Sequence, residues 1–329
     1  IMSDQLPVKW GIVGTTGFAG DHFAPALRKT ANGKLIAVCG HDSEQARLFA
    51  EKMGVGRSYD SVSALATDTE VTAVWVASPN HMHHDHVTTL LESGKHVLCE
   101  KPLDITSTGA KELYGIAKES GCLLSVGYNM RQDPTLKGLR KRVVSGDFGK
   151  PALMRINRLE RYPDSVTEWR KRKATSGGWC INDLGTHSID QCVWFLGNHV
   201  EAKGFLMTRR FNVETDDLAT LAMTFESGAV AMIEVSTALS GARPRIEFYG
   251  TAGWFVVELS DMASAVCVTE KVGDLPPKAV TTKDATLDLF RLEAEAFGRA
   301  IAARGEETIP QSDVIQNLQA IDKVRGYSP

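Results

Sequence analysis

The chain has 329 residues, 43% hydrophobic and 23% charged, a balance that fits roughly two globular domains of about 150 residues and excludes a mainly disordered chain. Its 37 basic and 40 acidic side chains leave a formal net charge of −3, so there is no overall basic excess to hold a nucleic acid. No apolar run approaches a membrane span and no basic–apolar–small signal segment opens the sequence, so a cytoplasmic protein is expected.

In chain order, residues 7–13 read as a buried strand, followed by a glycine-rich turn and a helix to about 28. Strands at 35–39, 71–77, 96–99 and 122–126 alternate with helices at 43–53, 83–93 and 107–120. Such alternation implies parallel βαβ units with helices on both faces. The pattern then changes. A basic surface helix at 133–145 precedes a strand at 152–159, a polar loop to about 178 and an amphipathic helix at 182–196. Strands follow at 204–208, 218–225, 230–236, 246–249, 254–259 and 263–269, separated by turn signals, so this sheet is expected to be mostly antiparallel. Helices at 287–303 and 312–324 close the pattern. The expected fold is an α/β Rossmann domain over 1–126 and an α+β domain with a large, mostly antiparallel open sheet over 127–329.

The turn Gly11-Ile-Val-Gly14-Thr-Thr16-Gly17-Phe-Ala19-Gly20 follows the first strand and opens the first helix. That context suits a dinucleotide: glycines permit the bend and helix N–H groups face the pyrophosphate. The best register is Gly14-x-Thr16-x-x-Ala19, with Thr16 where the second glycine usually stands. Gly17 compensates, or the Thr16 hydroxyl binds phosphate itself. The second strand ends at Cys39-Gly40-His41-Asp42-Ser43. An acid at the strand tip binds the ribose 2′-OH of NAD. Here Gly40 occupies the tip, which leaves room for a 2′-phosphate held by His41, Ser43 and Arg47. NADP is therefore favoured, with NAD as the alternative. Asp42 is either a late ribose ligand or the N-cap of the next helix.

Three further motifs lie downstream: Ser78-Pro-Asn-His-Met-His83, Gly94-Lys-His-Val-Leu-Cys-Glu100-Lys101-Pro102 and Gly177-Gly178-Trp-Cys-Ile-Asn-Asp183-Leu-Gly185-Thr-His187. In this order after a dinucleotide turn, they resemble the glucose–fructose oxidoreductase / inositol dehydrogenase / MocA (Gfo/Idh/MocA) family over about residues 8–250. The resemblance implies a Rossmann domain joined to an open-sheet domain, with the active site between them. It implies redox chemistry at a carbinol carbon of a sugar, inositol or related cyclic alcohol. Lys101, Asp183 and His187 match the family's catalytic positions. Trp179 departs from the pattern, standing where many members have a third glycine, and is expected to narrow the substrate pocket.

The residue types suit that chemistry. Oxidising an alcohol needs a group to remove the hydroxyl proton, while the cofactor carries the hydride. Asp183 and His187 are i and i+4, so one helix face presents both. The carboxylate orients the ring, and the imidazole is the leading acid/base. Gly185 between them leaves the nicotinamide side unobstructed. Lys101, at the end of a parallel strand, polarises the substrate oxygen or shares the proton. Amine, imidazole and carboxylate are expected to meet around one coenzyme ring. The cofactor-binding set is Gly14, Thr15, Thr16, Gly17, Phe18, Ala19, Gly40, His41, Ser43, Ser78, Pro79, Asn80, His83, Glu100, Lys101 and Asn129. The substrate set is Lys101, Trp169, Arg170, Trp179, Asp183 and His187.

Other features read more plainly. Pro102 is expected to form a cis bond with Lys101. His81, His83, His84 and His86 resemble a metal cluster, but no partner Cys or carboxylate pair accompanies them, and no metal is expected. Asn129 or Arg131 reaches the cleft, or Arg131 braces the domain joint. The basic run 170–173 is read as solvated. The six scattered Cys have no CxxC pair and are expected to be free thiols. The predicted protein is an NAD(P)-dependent sugar or polyol oxidoreductase, a homodimer or homotetramer with no nucleic-acid or membrane partner. A non-catalytic redox sensor and a lyase or glycosidase using tightly held NAD are the alternatives.

Overall fold

The computed structural model describes residues 7–15, 18–165, 167–241, 243–260, 264–282, 284, 287–303 and 308–326. Two compact units are formed. One comprises Ile1–Asp104, Thr108–Asn129 and Asp288–Gln311, the other Ile105–Ser107, Met130–Leu287 and Ser312–Pro329.

The first unit is built on a parallel sheet of six strands: β1 (Val8–Val13), β2 (Gly33–Cys39), β3 (Arg57–Tyr59), β4 (Ala73–Val76), β5 (His96–Cys99) and β6 (Leu124–Val126). Their order is β3-β2-β1-β4-β5-β6. The chain runs outward from β1, returns, and continues from β4 on the other side. The reversal leaves a switch point between β1 and β4 at the carboxyl ends of the strands, where doubly wound sheets bind ligands. All four residues of β4, Ala-Val-Trp-Val, are buried, as a strand covered on both faces requires. Strand β3 is a short polar edge that the apolar pattern did not reveal.

One core cluster of this unit includes Trp10, Phe23, Leu27 and Trp75, with Phe290, Ala294 and Phe297 from the helix Leu289–Ala303. The Phe297 ring lies 5.8 Å from Trp10, and Phe23 stacks on Trp75 at 4.1 Å. The sequence pattern assigns everything after residue 126 to the second domain. Asp288–Gln311 instead belongs to the first unit, because the apolar face of that helix completes the Trp10 core.

The second unit carries β7 (Pro151–Leu159), β8 (His199–Met207), β9 (Leu218–Phe225), β10 (Val230–Ser236), β11 (Arg245–Gly250), β12 (Gly253–Leu259), β13 (Ala265–Val272) and β14 (Lys278–Thr281). The order is β14-β13-β12-β11-β7-β10-β9-β8, antiparallel except for the parallel β7–β10 pair. Burial alternates along β9 and β10, so one face is packed and the other open. The polar loop expected before residue 178 contains two one-turn helices, Glu168–Lys171 and Lys173–Ser176. All six cysteines are free, four of them buried. Among the described residues, no helix is long and apolar enough to cross a membrane.

Candidate active site

The first unit presents the dinucleotide-type turn at the end of β1. Gly14 has φ +115°, and a Cβ there would sit 2.9 Å from the Ala77 carbonyl oxygen. Only glycine fits so close an approach in that conformation. The Gly14 N–H donates to Cys39 O at 2.9 Å and ties the turn to β2. Thr16 and Gly17 lie outside the described residues. Ala19–Phe23 forms a π-helical turn that runs directly into the helix Ala24–Lys29. Phe18, 43% exposed, packs against Trp75 and Phe290. A glycine-only bend at the switch point, opening a helix, fits a dinucleotide.

At the tip of β2, a Cβ on Gly40 would lie 3.1 Å from Thr15 Cγ2 and 3.3 Å from Ala46. Asp42 is the N-cap of the helix Ser43–Met53; its carboxylate accepts the Gln45 N–H at 2.9 Å. Arg47 is held between Glu44 and Glu51, and His41 is exposed beside Asp42. The carboxylate two residues beyond the tip is thus engaged by the backbone, and Arg47 is already paired.

The ends of β4 and β5 are joined by side chains. His83 is 1% exposed, with Nδ1 2.8 Å from Pro102 O and Nε2 2.8 Å from Ser78 O. His86 Nδ1 lies 2.9 Å from Ser78 Oγ. Burial pushes the His83 ring below its ordinary pKa, and the two carbonyls oppose that shift. The Lys101–Pro102 bond is cis, as the sequence suggested. Lys101 is half-buried, and Glu100 and Asn80 are buried. A Cβ on Gly127 would meet Glu100 Oε1 at 3.0 Å, so the β6 end packs tightly on that carboxylate. Asn129 is buried at the close of this stretch. His84 pairs with Glu112 at 3.4 Å. Among the described residues, no three His, Cys, Asp or Glu side chains converge as a metal site.

In the second unit the expected continuous helix at 182–196 begins instead with a π turn, Ile181–Gly185, in which Thr186 N–H reaches Ile181 O; the α-helix proper is Thr186–Leu196. Such insertions concentrate at functional sites. Asp183 lies in the π turn and His187 in the first α turn, so the simple i, i+4 geometry of one α-helix does not apply. Both are half-buried. A Cβ on Gly185 would meet Ile181 Cδ1 at 2.8 Å, so that glycine packs inside its own turn. Arg170 Nε donates to Asp183 Oδ2 at 3.3 Å while its guanidinium lies 4.3 Å from the Trp169 ring. Trp179 is 2% exposed and packs on Phe211 and Tyr162, so it is a core residue here, not an open pocket wall. Arg131 is spent on Asp190 and Asp313 at 2.8 Å each.

Two further residues near Asp183, Asp216 and Tyr162, belong to no motif in the sequence. The Asp216 carboxylate accepts the N–H groups of Trp179 (3.0 Å) and Ile181 (2.6 Å), fixing the entry to the π turn. Burial pushes its pKa up, and these N–H groups pull it back down. Its signal was the pair Asp216-Asp217 just before β9; Asp217 in turn caps the N–H groups of Arg209, Arg210 and Phe211. Tyr162 packs on Trp179; burial, then the Asp183 charge, raises its pKa.

Residues 8–128 match the model of an oxidoreductase family with an NAD-binding Rossmann fold, and residues 136–256 match the Gfo/Idh/MocA C-terminal domain. The chain belongs to the Gfo/Idh/MocA oxidoreductase family. It is 30% identical to a myo-inositol 2-dehydrogenase of Thermotoga maritima over 80% of this chain and 79% of that one. It is 26% identical to a 1,5-anhydro-D-fructose reductase of Ensifer adhaerens, over 94% and 93%. A levoglucosan dehydrogenase solved with NADH and levoglucosan shares the fold with a TM-score of 0.89 at 23% identity, over 97% and 96% of the two chains.

Proposed function

We propose that the protein is an NAD(P)-dependent oxidoreductase acting on a secondary alcohol of a sugar, inositol or related cyclic polyol, or on the matching ketone. The observation that carries this reading is the presence of Lys101, Asp183 and His187 in their spaced motifs, in a chain whose β1 turn is glycine-only at Gly14. The relatives act, by their names, on an inositol and an anhydro sugar, which supports the substrate class. A nicotinamide coenzyme held at the β1 turn would supply the hydride chemistry. His187 takes the hydroxyl proton during oxidation and returns it during reduction. Lys101 polarises the substrate oxygen, and Asp183, steadied by Arg170, holds a substrate hydroxyl. Gly14, Thr15, Phe18 and Ala19, together with Thr16 and Gly17 of the sequence motif, are assigned to the pyrophosphate, and Ser78, Pro79, Asn80 and Asn129 to the rest of the coenzyme.

NADP is the preferred coenzyme. Gly40 puts no carboxylate at the β2 tip, and Asp42 is engaged as a helix cap. Calorimetry with both coenzymes should show NADP binding at least about tenfold tighter, about 1.4 kcal/mol; tighter NAD binding would reverse the assignment. His187→Ala should lower turnover by about 10²–10⁴-fold with little change in coenzyme affinity. Unchanged turnover would remove its role. The exposed side chains of Val200, Phe205 and Met232 on the open sheet face support self-association, which light scattering on the purified chain checks.

A further inference from the structure

Four histidines lie within six residues, His81, His83, His84 and His86; none is assigned a proton or hydride step in the reaction as proposed, and His83 stands only in the expected coenzyme-binding set. Two of them converge on Ser78. His86 meets its hydroxyl and His83 its carbonyl, and the far nitrogen of His83 meets the carbonyl of Pro102. We propose that His83 is a positioning residue that staples the loop after β4 to the turn that carries Lys101, and that His86 supports it by holding the Ser78 hydroxyl on the loop side. This rests on the assignment of Lys101 to the reaction.

The loop and the turn leave neighbouring parallel strands. The sheet ladder is continued as far as Glu100 N–H to Val76 O, at 2.8 Å. Beyond that pair, the His83 imidazole is a bridge between the two segments. Both of its oxygen partners are carbonyls, which only accept. A neutral imidazole donates through one nitrogen, so one contact is a full hydrogen bond in the neutral ring and both are in the protonated one. An apolar side chain of similar size would fill the space but hold neither carbonyl. Pro102 adjoins Lys101, so movement of its carbonyl moves the backbone from which the ammonium projects. A displacement of about 1 Å in a catalytic group can cost about 10²-fold in rate.

The test uses the full chain with two readouts. One is turnover with NADP and an alcohol found by coenzyme-reduction screening. The other is the ¹³C-methyl NMR signal of Lys101 after reductive methylation, assigned by its loss in Lys101→Arg. His83→Leu should shift the Lys101 signal and lower turnover by about 10²-fold. His86→Ala should do the same to a smaller extent, and decides the matter if His83→Leu does not fold. Val87→Ala, at a fully buried apolar position of the same helix, should lower the melting temperature and leave both readouts in place. An unmoved Lys101 signal with wild-type turnover in the folded histidine variants overturns the staple, as does an equal effect from Val87→Ala. Full turnover in Lys101→Met would instead sink the catalytic assignment, and the NMR shift would still report whether the staple exists.

Discussion

At the scale of single residues, a few positions carry disproportionate weight because the backbone or a buried charge leaves no alternative. Gly14 is one. Its positive φ and the 2.9 Å approach to a backbone oxygen mean that Gly14→Ala must move the turn. The expected cost is about 1–3 kcal/mol of stability with loss of coenzyme binding, read by denaturant unfolding and calorimetry. Wild-type affinity in that variant would show that the turn does not hold the coenzyme. The glycine-only bend at Gly14 was legible in the sequence, and Lys101, Asp183 and His187 stood out as candidates, because glycine turns and spaced motifs are local signals. The sequence did not disclose Asp216, whose partners lie 35 and 37 residues away. Nor did it show Arg170 as the partner of Asp183, or Trp179 as core. Those roles follow from packing, which spacing does not encode.

At the scale of elements, strands and helices with strong apolar patterns were legible nearly to the residue, as in the helix Ser43–Met53 and strands β9 and β10. The misses share a cause. β3 is a three-residue polar edge, and every residue of β14 is exposed, so neither has alternation to read. The π turns depend on one extra residue in a helical ladder, invisible to a period of 3.6. Helix starts are specified by caps, and Asp133 serves two elements. It accepts Thr135 N–H and Leu136 N–H at the head of Pro134–Val144 and Ala265 N–H on β13. Asp133→Ala should cost about 2–3 kcal/mol in chemical denaturation, from a lost cap and an unsatisfied buried N–H. Strand β8 begins at His199, whose ring is pushed down to about 4 by burial and then by Lys323. His86 is likewise held at about 4, by burial first. The unfolded rings take up protons near the ordinary imidazole value of 6.5 and the folded ones resist until about 4, so these groups make stability fall as pH drops through that window. His199→Gln should flatten the melting-temperature slope there; an unaltered slope would show that His199 does not contribute.

At the scale of the whole molecule, the chain crosses between units more than once, and contiguous pattern reading does not anticipate that. The helix Leu289–Ala303 returns to complete the core around Trp10. Phe297→Ala should therefore destabilise the first unit by about 3–5 kcal/mol, followed by Trp10 fluorescence during denaturation. The central claim is that this chain moves hydride between a nicotinamide and a carbinol carbon. Its most direct test supplies NADPH deuterated at the transferable position together with candidate keto sugars and ketoinositols, and reads the product by mass spectrometry. The account predicts deuterium at the new carbinol carbon with wild-type protein and a sharply reduced yield with His187→Ala. Product formed without loss of deuterium from the coenzyme, or equal transfer by both proteins, would contradict it.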